Sequence, residues 1–271
     1  MRTQCNETIN GPKLDELWQI LIKELIPIAS QEPIIASYLY ATVLKHNSMA
    51  SALSYLLANA LSCEPLPAIA IREIIDKVFL EDPQIIEASR LDLCAFYYRD
   101  PACDLFSTPF LYYKGFHALQ THRIAHSLWK ANRKSLARLI QNRKSAVFGV
   151  DIHPGAHLGS GILLDHAHGV VIGETAVVAD GVSILHAVTL GGTGKETGDR
   201  HPKVGRGVLI GVGAKILGNV TIGECAKIAA GSVVLEDVPA RATVAGVPAK
   251  IVTHSTDQAE PSRGMDHRLR E

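Results

Sequence analysis

Histidine is the side chain best suited to moving a proton near neutral pH. Five of them, His153, His157, His166, His168 and His186, crowd the start of a glycine-rich stretch where packing has no need of imidazole. Three readings stand side by side: a general base for a hydroxyl proton, a zinc site built by histidines on adjacent layers, and surface decoration. A second cluster lies at 191–203, GGTGKETGDRHPK, which brings Arg200 and His201 together in a glycine-rich run. Gly194-Lys195 looks like the end of a phosphate-binding loop. However, Thr189 stands where its first glycine belongs and Glu196 where a magnesium-binding Ser or Thr belongs, so that reading fails. What remains is a loop carrying Arg200 and His201 toward a neighbouring surface, or a solvated insertion.

Other spacings carry less. His122 and His126 are four apart, as in a helical zinc pair, but Arg123 replaces the glutamate that a zinc hydrolase needs. Cys5, Cys63, Cys94, Cys103 and Cys225 form an odd set without C-x-x-C spacing and read as reduced, structural thiols. The run Lys130, Arg133, Lys134, Arg138, Arg143 and Lys144 reads as a solvated helix face or oligomer contact. The 271 residues carry 27 basic and 27 acidic side chains, and this balance argues against a nucleic acid or an anionic membrane as main partner. No signal-peptide h-region and no apolar run of about 18 residues occurs, so a soluble, cytoplasmic protein is expected.

The elements that must position these residues differ between the two halves. All fifteen aromatic residues lie at or before Phe148, whereas 19 of 22 glycines lie between Gly149 and Gly246. From Leu14 to Val147 the apolar spacing is helical: Leu14, Leu17, Trp18, Leu21, Ile22 and Leu25 form one stripe that should end at Pro27. Residues 52–61, 69–79 and 111–128 repeat it. After Phe148 an aliphatic residue recurs every sixth position: Ile152, Leu158 and Leu164, then after a two-residue slip Ile172, Val178, Ile184 and Leu190. Past a longer gap come Val204, Ile210, Ile216, Ile222, Ile228 and Val234. Such a hexapeptide repeat predicts a parallel β-helix, three short strands per coil of about 18 residues, with an interior too narrow for rings. His166 and His186, one coil plus the slip apart, should stack on one edge. The gap from Leu190 to Val204 is fourteen residues, two more than a pair of repeats, and marks an extruded loop.

Residues 150–169 (VDIHPGAHLGSGILLDHAHG), 171–176 (VIGETA), 188–195 (VTLGGTGK) and 198–203 (GDRHPK) resemble the bacterial serine acetyltransferases. So do Arg99-Asp-Pro101, Ser107-Thr-Pro109 and 114–120 (KGFHALQ). The resemblance spans roughly residues 14–252. Residues 245–250 (AGVPAK) are shared more widely among hexapeptide acyltransferases. The architecture it implies is α + β: a flexible N-terminus (1–13), an all-helical oligomerisation domain (14–148), a left-handed parallel β-helix (149–252) with the extruded loop, and a disordered tail (253–271).

The activity it implies is acetyl transfer from acetyl-CoA, as co-substrate and without a metal, to the hydroxyl of L-serine, giving O-acetylserine for cysteine synthesis. By the same resemblance His166 is the general base and Asp151 its orienting partner. Asp100 and Asp165 hold the substrate's ammonium, Arg200 and His201 its carboxylate, and Glu174 is a further acid of the site. Acetyl-CoA is expected in the cleft between subunits, against backbone near Gly192, Gly211 and Ala230, with Lys227 and Lys250 for its phosphates. Gly192 is also the position from which a backbone N–H would meet an oxyanion. The resemblance further implies trimers paired into hexamers and inhibition by L-cysteine. The last residues, Arg268-Leu-Arg-Glu271, depart from the terminal isoleucine that docks such tails into cysteine synthase. The readings outside this family are another hexapeptide acyltransferase with a different acceptor, a zinc hydratase of similar coil, and a non-catalytic scaffold.

Overall fold

A computed structural model describes residues 11–194, 197–256 and 259–269; the first ten residues, Lys195, Glu196, Asp257, Gln258 and Arg270-Glu271 lie outside it. The helical part runs α1 Leu14–Gln31, α2 Pro33–Leu39 with a π-helical turn at Tyr40–Leu44, α3 Met49–Leu61 and α4 Ala68–Glu81. It continues with α5 Gln84–Arg99, α6 Ser107–Tyr112, α7 Lys114–Lys130 and α8 Lys134–Phe148. Its core is ring-filled: Phe96, Phe110 and Phe116 are fully buried, and Phe96 meets Phe116 edge-on with centroids 6.1 Å apart.

Two helix boundaries differ from the sequence expectation. Pro27 lies inside α1 rather than ending it, because Leu25 and Ala29 on either side of it are both buried and hold the helix to the core. The stripe at 111–128 is two helices, broken at Tyr113, whose ψ of 109° is extended. The basic run is not one solvated face either. Arg143 donates to the Leu61 and Ser62 carbonyls at the end of α3, both at 2.9 Å, and Lys144 is fully buried with its Nζ donating to the Ile152 carbonyl at 2.8 Å.

The coil follows as β1 Val150–Ile152, β2 His157–Leu158, β3 Leu163–Leu164, β4 Val170–Ile172, β5 Val177–Val178, β6 Ser183–Ile184, β7 Thr189–Gly191 and β8 Lys203–Val204. Next come β9 Leu209–Ile210, β10 Lys215–Leu217, β11 Thr221–Ile222, β12 Lys227–Ile228, β13 Val233–Val234, β14 Ala242–Gly246 and β15 Ala249–His254. Three sheets form its faces: β1-β4-β7-β10-β13, β2-β5-β8-β11, and β3-β6-β9-β12-β14, closed by antiparallel β15. Each of the thirteen repeat aliphatics sits in its own strand from β1 to β13, and all are buried. They stack in register, as Ile152↔Ile172 and Leu190↔Ile216 on the first sheet and Leu164↔Ile184↔Ile210↔Ile228 on the third.

The extruded loop replaces more than the numbering suggested. Leu190 lies on the first sheet and Val204 on the second, stacked on Val178, so they are one strand step apart rather than two repeats. Six residues would make that step where fourteen run, and the excess forms the extruded loop, whose returning end at Arg200 and His201 bonds back to the coil.

The tail read as disordered from Thr253 is partly built. β15 continues to His254, and a one-turn helix, α9 Pro261–Gly264, buries Ser262, whose carbonyl accepts from Ser183 Oγ at 2.8 Å. Glu260 pairs with Arg206 and Arg263, so the tail gains contacts that composition alone does not reveal.

A buried polar network fixes the helices to the coil. Asp92, wholly buried, accepts from Arg123 at 2.6 Å and Gln120 at 3.0 Å, and its other oxygen takes the Ile162 N–H at 2.9 Å. Arg123 also donates to the Gly159 carbonyl at 2.7 Å. Satisfied networks of this kind specify a unique docking.

Candidate active site

The residues singled out from the sequence collect at two corners of the triangular coil. The first corner, between the third and first sheets, holds the turn after β3. The two-residue slip in the repeat is this turn, and His166 and Ala167 both take left-handed backbone there, with φ of 51° and 61°. Each costs on the order of 1 kcal/mol outside glycine, so the surroundings must impose it. Gly115, in the first turn of α7, packs so closely on the Leu164 carbonyl that any Cβ would collide with it.

His166 is presented outward, its side chain 75% exposed. Its ring lies against His186 of the next coil, centroids 5.7 Å apart and planes at 68°, which is the stacking that the spacing predicted. The Nδ1 of His186 is buried with no hydrogen-bond partner among the described residues. Asp165 Oδ1 stands 3.9 Å from His166 Nδ1, close enough for charge but beyond a hydrogen bond. Asp100, which follows α5, accepts from the Ala102 N–H at 2.8 Å. Burial, helped by the neighbouring Asp100 carboxylate, pushes the Tyr113 phenol up to about 12. Tyr113 leads into Lys114, whose Nζ is 3.4 Å from His168 Nδ1, so the helical half reaches this corner.

Asp151 is not paired with His166 within the chain. Its carboxylate, on the outer side of β1, accepts from Gln141 Nε2 at 2.8 Å. The reason is strand alternation: Val150 and Ile152 point into the coil, and Asp151 therefore faces outward beside α8.

The second corner lies between the first and second sheets, where Glu174 and Thr175 meet the returning arm of the loop. Arg200 Nη2 donates to Glu174 Oε2 at 2.8 Å, and this bond holds the Glu174 carboxyl below its usual range. His201 is nearly buried, and burial, then the Arg200 charge, pushes its imidazole below the ordinary value. Its ring lies on Gly173, where a Cβ would strike it. Thr175 Oγ1 accepts the N–H groups of Arg200 and His201 at 3.0 and 3.1 Å. It also lies 2.9 Å from His201 Nδ1, which takes the Thr175 N–H at 3.2 Å as well. Lys203 clamps the arm from below, donating to the Thr175 and His201 carbonyls and to Asp199 and Asn219.

The positions expected along acetyl-CoA are split between these corners. Gly192 opens the loop at the second, where a Cβ would stand 3.5 Å from His201 Nε2. Gly211 and Ala230 belong to the first corner, in the coils beyond His186, and a Cβ on Gly211 would stand 2.6 Å from the Ala230 nitrogen. Lys227 Nζ donates to the Arg268 carbonyl of the tail at 2.6 Å, whereas Lys250 lies exposed on β15. Among the described residues no three His, Cys, Asp or Glu side chains converge as a metal site requires.

Two family models match the chain: the N-terminal part of serine acetyltransferase over residues 17–121, and six bacterial transferase hexapeptide repeats over residues 201–236. The serine acetyltransferase of Haemophilus influenzae is 54% identical over 251 residues, covering 93% of this chain and 94% of that protein. The chain belongs to the serine acetyltransferases. It is therefore an acyltransferase enzyme with serine O-acetyltransferase activity. Among solved members of the family, a serine acetyltransferase in complex with cysteine superposes with a TM-score of 0.92 at 54% identity, covering 93% of this chain and 98% of that one. Another, in complex with CoA, superposes with a TM-score of 0.85 at 54% identity, covering 88% and 100%.

Two side chains at the second corner are not singled out by spacing: Thr175 and Lys203 fall within the quoted stretches 171–176 and 198–203, but no spacing assigns them a role. Contacts between the turn at 173–176 and the returning loop give each its place, and spacing cannot report that.

Proposed function

We propose that acetyl transfer runs at a site completed by two copies of the chain, the first corner of one facing the second corner of its neighbour. One observation carries this reading. Asp165, one of the two groups assigned to the amino acid's ammonium, lies at the first corner, and the groups assigned to its carboxylate, Arg200 and His201, lie at the second. The face between them, from residue 168 to 173, spans on the order of 15 Å at about 3.3 Å per residue. Ammonium and carboxylate of one amino acid share a single carbon, so one chain cannot hold both.

In the assembled site His166 takes the proton of the serine hydroxyl as its oxygen attacks the thioester carbonyl of acetyl-CoA. The tetrahedral oxyanion meets a backbone N–H near Gly192, the C–S bond breaks, and the imidazolium returns the proton to the leaving CoA sulfur. Asp151, on the outer face between the corners, serves as the orienting carboxylate by sharing its bond from Gln141. Arg200 begins the cycle paired with Glu174, whose carboxylate occupies the guanidinium until the substrate's carboxylate shares it. The donor runs along Gly211 and Ala230, with Lys227 and Lys250 near its phosphates once Lys227 leaves the tail.

L-Cysteine carries the same ammonium and carboxylate as L-serine, so the same groups receive it and make it an inhibitor. The exposed Ile34, Ile69 and Leu80 of the helical half supply the apolar surface through which trimers pair into hexamers, in the cytoplasm. The test is release of CoA thiol with L-serine against a panel of amino-acid and sugar acceptors, for the parent and for His166→Ala. Serine preferred and His166→Ala nearly silent is the expected result; near-parental turnover by His166→Ala removes the assigned base.

A further inference from the structure

The chemistry above uses Arg200 and His201 but leaves open what fixes them. A loop that leaves the coil has no strand ladder to hold it, yet these two residues return to the second corner in one arrangement. Four hydrogen bonds converge there on a single residue. Thr175 Oγ1 accepts the consecutive N–H groups of Arg200 and His201, at 3.0 and 3.1 Å. The same oxygen stands 2.9 Å from His201 Nδ1, and the Thr175 main-chain N–H points at that nitrogen at 3.2 Å.

The last of these decides the tautomer. A main-chain N–H can only donate, so Nδ1 must present its lone pair, and the neutral ring carries its proton on Nε2. Asp199 also draws on the Thr175 hydroxyl, but the ring assignment does not depend on where the hydroxyl proton goes. Nε2 is directed past Gly173 toward Gly192, the side from which the loop opens. The ring therefore offers one N–H donor, in a fixed direction, beside the Arg200 guanidinium.

We propose that Thr175 is the positioning residue of the carboxylate site: it holds Arg200 and His201 by their main chain and keeps His201 as the Nε2–H donor that meets the substrate's carboxylate. Thr175 itself touches no substrate. The proposal rests on the reading that Arg200 and His201 receive that carboxylate, and the experiment separates the two.

Thr175→Val keeps the shape and the main-chain donor but removes the hydroxyl, and Thr175→Ser keeps the hydroxyl. Both are compared with the parent and with His201→Asn in the intact oligomer, using L-serine and 2-aminoethanol, which is the same acceptor without the carboxylate. Thr175→Val should raise KM for L-serine about tenfold with a smaller change in kcat, which is the scale of losing hydrogen bonds that position a charged ligand. Thr175→Ser should return KM to within about threefold of the parent, and Thr175→Val should lower kcat/KM for 2-aminoethanol less than it lowers kcat/KM for L-serine. If His201→Asn penalises both acceptors equally, the carboxylate reading fails. If His201→Asn discriminates between them and Thr175→Val does not, or if Thr175→Ser is no better than Thr175→Val, the role given to Thr175 is wrong.

Discussion

The two corners hold their functional groups by opposite means. At the first, His166 is fixed by the backbone: a lengthened turn in left-handed conformation, backed by α7 at Gly115, presents a mostly exposed ring. At the second, Arg200 and His201 sit on a loop outside the coil and are held by side chains, with Glu174, Thr175 and Lys203 each contributing. On the proposed roles, a base that must meet one hydroxyl would benefit from a rigid mount. A clamp that must admit and release a charged amino acid would benefit from bonds that can be exchanged, and Glu174 on Arg200 is such a bond.

Substitutions at the two corners should therefore fail differently, and the first should fail hardest. His166→Ala is expected to lower kcat by about 10²- to 10⁴-fold with KM for L-serine little changed, as loss of a general base does. Equal losses in kcat and in serine affinity would blur the division. Arg200→Ala should act mainly on KM for L-serine, raising it about 10- to 100-fold, the scale of hydrogen bonds between charged groups. Arg200→Lys should fall between, since an ammonium cannot reproduce the planar fork. Gly173→Ala should resemble a milder His201 variant, with KM for L-serine up about tenfold in a chain that still folds, because the new methyl displaces the imidazole.

A smaller effect should appear behind the first sheet, away from both corners. Burial pushes the Lys144 ammonium down to about 7, opposed by Asp151. Below pH 7 the lysine is charged whether the chain is folded or unfolded. Between 7 and its ordinary value near 10.4 the unfolded chain holds the extra proton, so stability rises with pH across that window. Denaturant unfolding should show the parent gaining on the order of 2 kcal/mol between pH 7 and 9 relative to Lys144→Met. Parallel curves for the two proteins would mean that Lys144 is not buried as described.

Much of this was legible in the sequence for physical reasons. A narrow coil accepts only aliphatic side chains at every sixth position, so the thirteen repeat residues announce their strands, and the interruption at 165–169 announces the turn of His166. Spacing alone understates the second interruption, because its two ends lie on different faces and numbering in sixes does not tell which face a chain re-enters after a loop. Pro27 does not end α1, because burial on both sides of it outweighs one lost hydrogen bond. The split of the site between corners, the Gln141 bond on Asp151 and the Thr175 network depend on contacts between distant positions, which no local pattern encodes.

The claim that two chains complete each site is tested most directly by co-expressing His166→Ala with Arg200→Ala in equal amounts and measuring CoA thiol release by the mixed oligomers. In a randomly mixed trimer, a functional corner pair forms when one chain supplies His166 and its neighbour supplies Arg200. Measured at L-serine well below the parental KM, where each variant alone is nearly silent, thiol release should then recover to about a quarter of the parental rate. Mixed oligomers no more active than the separate variants would place both corners' work within one chain and contradict the account.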